Sequence, residues 1–194
     1  MKRSLVFSLL IAICLYLLVS PVMYELVFYL NVVVLPVVFF CLFSIVFFLI
    51  SYISGKRIMI SLRIGYYLAV IYSIALLILL FFRPNDQSYD SMNIIPFATI
   101  SFYLSNEVNS LISFYNLAAN IGLFIPYGLF LRIKGLNFLK TVVIMFLTIS
   151  FIETMQLLTK RGSFDIDDII LNVFGAIIGW FFYSFFVKAV YIKT

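Results

Sequence analysis

The sequence predicts an all-α, polytopic membrane bundle of about six transmembrane helices with both termini in the cytoplasm. Of its 194 residues, 65% are hydrophobic and only 11% are charged, whereas roughly a quarter of the residues of a soluble domain are charged. At roughly 20 apolar residues per span, six helices use most of the chain and leave no room for a separate water-soluble domain. The chain has no His, which excludes imidazole catalysis and the usual His-containing metal sites.

The first three spans are predicted from hydropathy alone. Each apolar run is followed by a proline, a glycine or a charged residue: residues 5–19 before Ser20-Pro21, 27–53 before Gly55, and 64–82 before Arg83-Pro84. We therefore expect residues 1–82 to form an amino-terminal three-span region without a motif. Residues 83–194 are predicted to form a second domain, in which a long polar loop precedes three further spans.

The last three spans are predicted at residues 116–133, 138–158 and 166–190. The distribution of Lys and Arg fixes their orientation, because cytoplasmic loops carry an excess of these residues. In the six-span arrangement, ten of the 13 Lys and Arg residues lie on the side of the two termini, and only Arg83, Lys160 and Arg161 lie on the other. All acidic residues except Glu153, which lies within the fifth span, fall on that outer side. The basic residues form no stripe, so nucleic acid is not an expected partner, and we expect them to meet membrane lipid.

Few polar residues lie within or beside the spans, and each is a candidate for a site because burial in a membrane is costly. The first group is Asn93-Ile94-Ile95-Pro96-Phe97 in the outer loop, followed by an aromatic stretch. We expect this segment to lie in the membrane interface or to fold back over the mouth of the bundle. The alternative is a loop that rests on the membrane, with Pro96 as a turn residue.

The second group is in the fourth span, where Asn116 and Asn120 are four residues apart and share one helix face. Pro126 follows and is predicted to free the carbonyl of Gly122. Two interpretations stay open. Either both asparagines contact a ligand, or Asn116 caps the helix and Asn120 bonds a neighbouring helix.

The third group spans the turn between the last two helices. Glu153 and Gln156 share a face of the fifth span, and Arg161 follows in the turn. Asp165, Asp167, Asp168 and Asn172 open the sixth span, where helix capping explains at least one aspartate. Glu153 lies roughly 8 Å from the end of its helix and needs a partner, a proton or a water-filled cavity. We predict a polar site at the outer mouth, with the members Asn93, Pro96, Phe97, Asn120, Glu153, Gln156, Arg161, Asp165, Asp168 and Asn172.

The sixth span also carries Gly175 and Gly179, a small-xxx-small pair on the same face as Asp168 and Asn172. Such a pair allows close approach of another helix. We expect a packing role, either within one bundle or between two protomers, and the oligomeric state stays open.

In this order, the three groups resemble the VanZ-like family of bacterial membrane proteins. The matching patterns are Asn-x-x-Pro-Phe from Asn93, Asn-x-x-x-Phe-Ile-Pro-Tyr-Gly from Asn120, Glu-x-x-Gln from Glu153, Arg161, Asp165-x-x-Asp168, and Asn172-x-x-Gly175-x-x-x-Gly179. The resemblance implies a bacterial plasma-membrane protein whose namesake lowers susceptibility to teicoplanin-type antibiotics. Those antibiotics act outside the cell on lipid-linked peptidoglycan precursors, which fits an outward-facing site.

Three functions stay open at this point. The first is a non-enzymatic envelope protein that binds or screens a lipid-linked wall component or the antibiotic, with Arg161 holding a phosphate or carboxylate. The second is an enzyme acting on a lipid head group, with Glu153 as general base and Asp165 or Asp168 as acid or metal ligand. The third is a small transporter. No motif indicates a cofactor, and whether a metal binds is left open.

Overall fold

The computed structural model describes residues 2–29, 34–55, 57–81, 92–105 and 110–193. Seven helices and four short strands lie in these ranges. The helices are α1 Lys2–Tyr29, α2 Val34–Ile53, α3 Leu62–Phe81, α4 Ala98–Leu104, α5 Ser110–Ile133, α6 Phe138–Leu158 and α7 Ile166–Ala189. The strands are β1 Ile58–Ser61, β2 Met92–Asn93, β3 Phe164–Asp165 and β4 Val190–Lys193. The predicted division between residues 82 and 83 lies outside the described residues.

The predicted fold class is confirmed, since the structure is a set of long apolar helices with only short strand pairs. Within the described residues, α1, α3, α5, α6 and α7 are each long and apolar enough to cross a membrane. The apolar stretch Leu42–Ile53 in α2 is shorter. The chain is therefore a multi-pass membrane protein by the length and composition of its helices.

The prediction that the first helix ends at Ser20-Pro21 is wrong, because α1 continues through Pro21 to Tyr29. Proline lacks the amide hydrogen that would bond the carbonyl four residues earlier, here Leu17. The Ser20 hydroxyl donates to that Leu17 carbonyl at 2.7 Å. A serine next to proline thus satisfies the freed acceptor, and the helix tolerates Pro21.

Other helix boundaries also shift. Residues 27–29 belong to α1, so the second helix begins at Val34. The fourth span begins at Ser110 instead of residue 116, so Asn116 lies inside α5 and does not cap it. Val190 opens β4 instead of ending the last helix. The bounds of α6 are those predicted from the sequence, where Asn137 caps the helix by accepting from the Lys140 amide at 2.9 Å.

The chain divides into two compact units. The first comprises Met1–Leu62 together with Phe185–Thr194. In it α1 packs on α2, with the Tyr16 and Phe39 rings edge to face at 5.4 Å, and β1 pairs in parallel with β4. The sequence analysis did not predict this strand pair.

The second unit, Arg63–Ser184, contains α4, α5 and α6 and most of α3 and α7. Its core is a cluster of buried apolar side chains from four helices: Leu76, Leu80, Phe124, Met145, Ile149, Ile169 and Ala176. Two tyrosines add hydrogen bonds between α3 and α5. The Tyr72 hydroxyl donates to the Leu123 carbonyl at 2.8 Å, and the Tyr127 hydroxyl donates to the Ser73 hydroxyl at 3.0 Å.

Helices α5 and α7 meet at glycines. A β-carbon on Gly175 would overlap the Ile121 carbonyl oxygen, and one on Gly179 would overlap that of Ile125. From the other helix, a β-carbon on Gly128 would overlap the Ala176 carbonyl oxygen. The backbones of the two helices are therefore in direct contact, within one chain, at positions where only glycine fits.

Candidate functional site

The polar site of the second unit begins with a short parallel strand pair. Strand β2 aligns Asn93 with Asp165 of β3, and the side chains meet as well. The Asn93 amide donates to the Thr99 hydroxyl at 2.9 Å and to the Asp165 carboxylate at 3.3 Å. Thr99 in turn donates its hydroxyl proton to the other Asp165 oxygen. Asn93 and Thr99 thus form a hydrogen-bonded triad with Asp165, which lies 72 and 66 positions later in the sequence.

Asp167 forms the centre of a second set of bonds. Its side chain is fully buried, with 0% exposure. One carboxylate oxygen accepts from the Phe97 amide at 2.6 Å, and the other accepts from the Thr99 and Ile100 amides at 2.8 and 3.1 Å. These are the first backbone donors of α4, which lack partners in an isolated helix. Asp167 therefore caps α4 from a distant part of the chain.

The backbone around Phe97 is shaped to reach that carboxylate. Phe97 adopts a left-handed conformation with φ 65°, which a bulky residue rarely does. The preceding turn is closed by the Asn93 side-chain oxygen, which accepts from the Ile95 amide at 3.1 Å in an Asx turn. Two hydrogen bonds thus stabilise the left-handed conformation of Phe97, one from the Ile95 amide to the Asn93 side chain and one from the Phe97 amide to Asp167.

The segment that these carboxylates hold is itself apolar and exposed. Its exposed large side chains are Met92, Ile94, Ile95, Phe97, Phe102 and Leu104. Helix α4 has no buried residue. Polar anchoring on one side and apolar exposure on the other are typical of a segment that lies in a membrane interface.

Two residues of α7 continue the polar cluster into the bundle. The Asp168 carboxylate accepts from the Asn120 side-chain amide of α5. Asn172, one turn further along the same face, is 4% exposed, and its side-chain oxygen has no hydrogen-bond partner among the described residues. A buried acceptor without a partner is uncommon in proteins and costs free energy.

Glu153 and Gln156 of α6 are both buried but have different roles. A Glu153 carboxylate oxygen accepts from the Asp165 amide at 3.4 Å, a long bond that connects Glu153 to the first triad. The Gln156 amide donates to the Leu80 carbonyl at 3.1 Å, near the end of α3. Gln156 also packs against Gly162. Gln156 therefore joins two helices through a structural bond.

The remaining predicted site residues lie at the periphery of this cluster. Pro96 is exposed in the turn before α4, and the Phe97 ring is exposed while its backbone amide contacts Asp167. Arg161 is exposed in the turn after α6, and its backbone amide donates to the Gln156 carbonyl at 2.9 Å. Gly175 and Gly179 lie at the α5 contact described above.

The family model described as VanZ/LLP1 matches residues 69–187, which is more than half of the chain. The chain belongs to the VanZ family. The matched stretch begins within α3, ends two residues before the end of α7 and includes every residue of the polar cluster. Comparisons with curated proteins and with solved structures gave no match.

Two residues of the cluster in this VanZ family member were left out of the site predicted from the sequence, Thr99 and Asp167. The available signal for Asp167 was the presence of three aspartates within four positions, where a helix start needs only one capping side chain. Asp165 supplies that cap, since its carboxylate accepts from the Asp167 amide at 2.9 Å. Thr99 lay in an aromatic stretch without any polar pattern.

Within the described residues, no three His, Cys, Asp or Glu side chains are grouped so that they could hold a metal ion. The carboxylates of the cluster instead accept from amides and a hydroxyl of the protein itself. The described contacts therefore form a site rich in hydrogen-bond acceptors, arranged around Glu153, Asp165, Asp168 and Asn172.

Proposed function

We propose that this VanZ family member is a non-enzymatic protein of the bacterial envelope that contributes to resistance against teicoplanin-type glycopeptides. In this proposal the polar cluster faces the extracytoplasmic side and binds the polar part of a lipid-linked wall component or of the drug. The excess of Lys and Arg on the opposite side of the six-span arrangement supports that orientation.

The observation that carries the proposal is the unpartnered Asn172 oxygen. This oxygen is buried one helical turn from Asp168, on the same face of α7. Asp168 contacts α5 there by accepting from the Asn120 amide. A ligand that donates a hydrogen bond to the Asn172 oxygen would recover the free energy lost by its desolvation. Wall precursors and glycopeptides both carry hydroxyl and amide donors, which match a site made of acceptors.

The anchored segment from Met92 to Leu104 supports a lipid-linked ligand in particular. Its apolar side chains are exposed beside the polar cluster, so an amphipathic ligand meets an apolar surface and hydrogen-bond acceptors together. Arg161, exposed in the nearby turn, supplies a guanidinium for a phosphate or carboxylate of the same ligand.

The proposal is tested by teicoplanin susceptibility of a bacterial host that expresses the wild type, Glu153→Ala or Asn172→Leu at matched membrane abundance. Thr154→Ala is the matched control, because Thr154 is exposed on the same helix next to Glu153 and its hydroxyl donates to the Ser150 carbonyl of that helix. We expect protection by the wild type and Thr154→Ala, and its loss in the two site variants. Equal protection by all four proteins, or by none, would contradict the proposal.

A further inference from the structure

A partly open cavity of about 350 Å³ lies between α4 and the first three turns of α5. It shares no side chain with the polar cluster. Its walls are mainly apolar and include Leu104 from α4 and Leu117, Ala118 and Ile121 from α5. A cavity of this size is at the lower end of the range for small-molecule pockets, roughly 300–1,000 Å³.

One buried polar group, the hydroxyl of Ser113, belongs to the wall of this cavity. Ser113 is 5% exposed, and its hydroxyl has no hydrogen-bond partner among the described residues. Hydroxyls within helices usually bond the carbonyl four residues earlier. Ser73 and Thr154 do so in this chain, at 2.8 and 2.7 Å. The Ser113 hydroxyl has no such bond to a described residue, so its proton can be donated to a group in the cavity.

We propose that this cavity holds a segment of one acyl chain of a membrane lipid, whose ester carbonyl accepts a hydrogen bond from the Ser113 hydroxyl. Methylene groups fit apolar walls, and the ester carbonyl is the one strong acceptor at the head of such a chain. The volume suits part of one chain and excludes a whole lipid.

The lipid site does not depend on the proposed function. Its residues lie on α4 and the start of α5, and neither Glu153 nor Asn172 contributes to it. The two proposals therefore fail separately, since lipid binding is measured on purified protein without any antibiotic.

The test uses the purified, delipidated full-length protein and a phosphatidylglycerol that carries a photoreactive diazirine in one acyl chain. Labelled positions are mapped by mass spectrometry, and labelling is competed with unlabelled ester-linked or ether-linked phosphatidylglycerol. We expect labels on the α4 and α5 residues of the cavity. We also expect the ester form to compete about three- to tenfold better than the ether form, which lacks the carbonyl.

Ser113→Ala removes the donor and is expected to abolish the preference for the ester form. Ser101→Ala is the matched control, because Ser101 is exposed on α4 and does not line the cavity. Delipidated Ser113→Ala is expected to unfold at the same temperature as the wild type or higher, since it no longer buries an unpartnered hydroxyl. A purely structural role of Ser113 would instead lower that temperature.

A second variant tests the volume. Ala118→Trp fills the cavity and is expected to reduce cavity labelling several-fold. Ala119→Trp, the adjacent position that does not line the cavity, is expected to retain it. Labels confined to other helices, or equal competition by ester and ether lipids in the wild type, would overturn the proposal. If Ala118→Trp fails to fold, the proposal is still tested by comparing the preference for the ester lipid in the wild type and in Ser113→Ala.

Discussion

The carboxylate of Asp167 accepts a hydrogen bond from the backbone amide of Phe97, 70 residues earlier in the chain, at 2.6 Å. This contact joins the start of α7 to the start of α4. It explains how a segment with six exposed apolar side chains is held at a fixed place on the second unit. The polar cluster thus contains groups that position this segment, such as Asp167, and also the buried Asn172 oxygen, which has no hydrogen-bond partner among the described residues.

Asp167→Ala is predicted to release this segment. The substitution leaves three backbone amides without their acceptor, and we expect the free energy of unfolding to fall by about 2–4 kcal/mol. Hydrogen exchange measures the release of the segment directly, and we expect faster exchange of the amides of Phe97, Thr99 and Ile100. Asp167→Asn retains one acceptor oxygen and should give an intermediate effect. Unchanged exchange at these three amides in Asp167→Ala would contradict the capping role.

Gly175→Ala and Gly128→Ala are predicted to destabilise the protein by about 1–3 kcal/mol each, because the added methyl groups overlap backbone atoms of the facing helix. Gly122→Ala is the matched control on α5, where an added β-carbon meets no atom within 4 Å. It is expected to be neutral or to stabilise by about 0.5–1 kcal/mol. The unfolding temperatures of the three variants and the wild type in detergent measure these differences. Similar unfolding temperatures for all three variants would show that the close contact is absent.

Asn120 and Asp168 are predicted to be coupled in a double-mutant cycle. Because the Asn120 amide donates to the Asp168 carboxylate, Asn120→Ala and Asp168→Ala should each reduce stability. The double variant should lose less than the sum of both, by about 0.5–3 kcal/mol. Denaturant titration of the four proteins gives the coupling free energy. Strict additivity would mean that the two side chains do not interact.

The orientation of the site is predicted by the Lys and Arg distribution and is testable with cysteine labelling. In a background with both native cysteines replaced by serine, Ser105→Cys at the end of α4 should react with a membrane-impermeant maleimide on intact cells. Lys140→Cys near the start of α6 should react only after permeabilisation. Both positions are exposed, so accessibility within the protein does not limit the comparison. The reverse pattern would place the polar cluster in the cytoplasm.

Hydropathy was sufficient to predict the helical membrane fold, because long apolar runs leave few alternatives to spanning helices. The predicted bounds of α6 are correct at both ends, and Asn137 supplies a local cap at the first of them. Hydropathy placed the end of α1 and the start of α5 incorrectly. In α1 the Ser20 hydroxyl bonds the carbonyl that Pro21 leaves free, which a rule based on proline alone does not take into account.

The polar cluster was only partly predictable for a similar reason. Asn93 and Asp165 stood out as polar residues next to apolar runs, and they lie within hydrogen-bond distance. Asp167 could not be separated from its acidic neighbours, because its distinction is a contact with α4 that no local pattern encodes. The short strand pairs were also missed, since two to four residues carry too little alternation to indicate a strand.

The central claim is that the acceptor-rich cluster around Asn172 binds the polar part of a wall component or of the drug. The most direct measurement is the affinity of the purified protein in lipid nanodiscs for teicoplanin and for a lipid-linked peptidoglycan precursor. We predict saturable binding of at least one of them, weakened about tenfold or more by Asn172→Leu and unchanged by Thr154→Ala. Absence of binding to both ligands, or equal affinity in Asn172→Leu, would contradict the account.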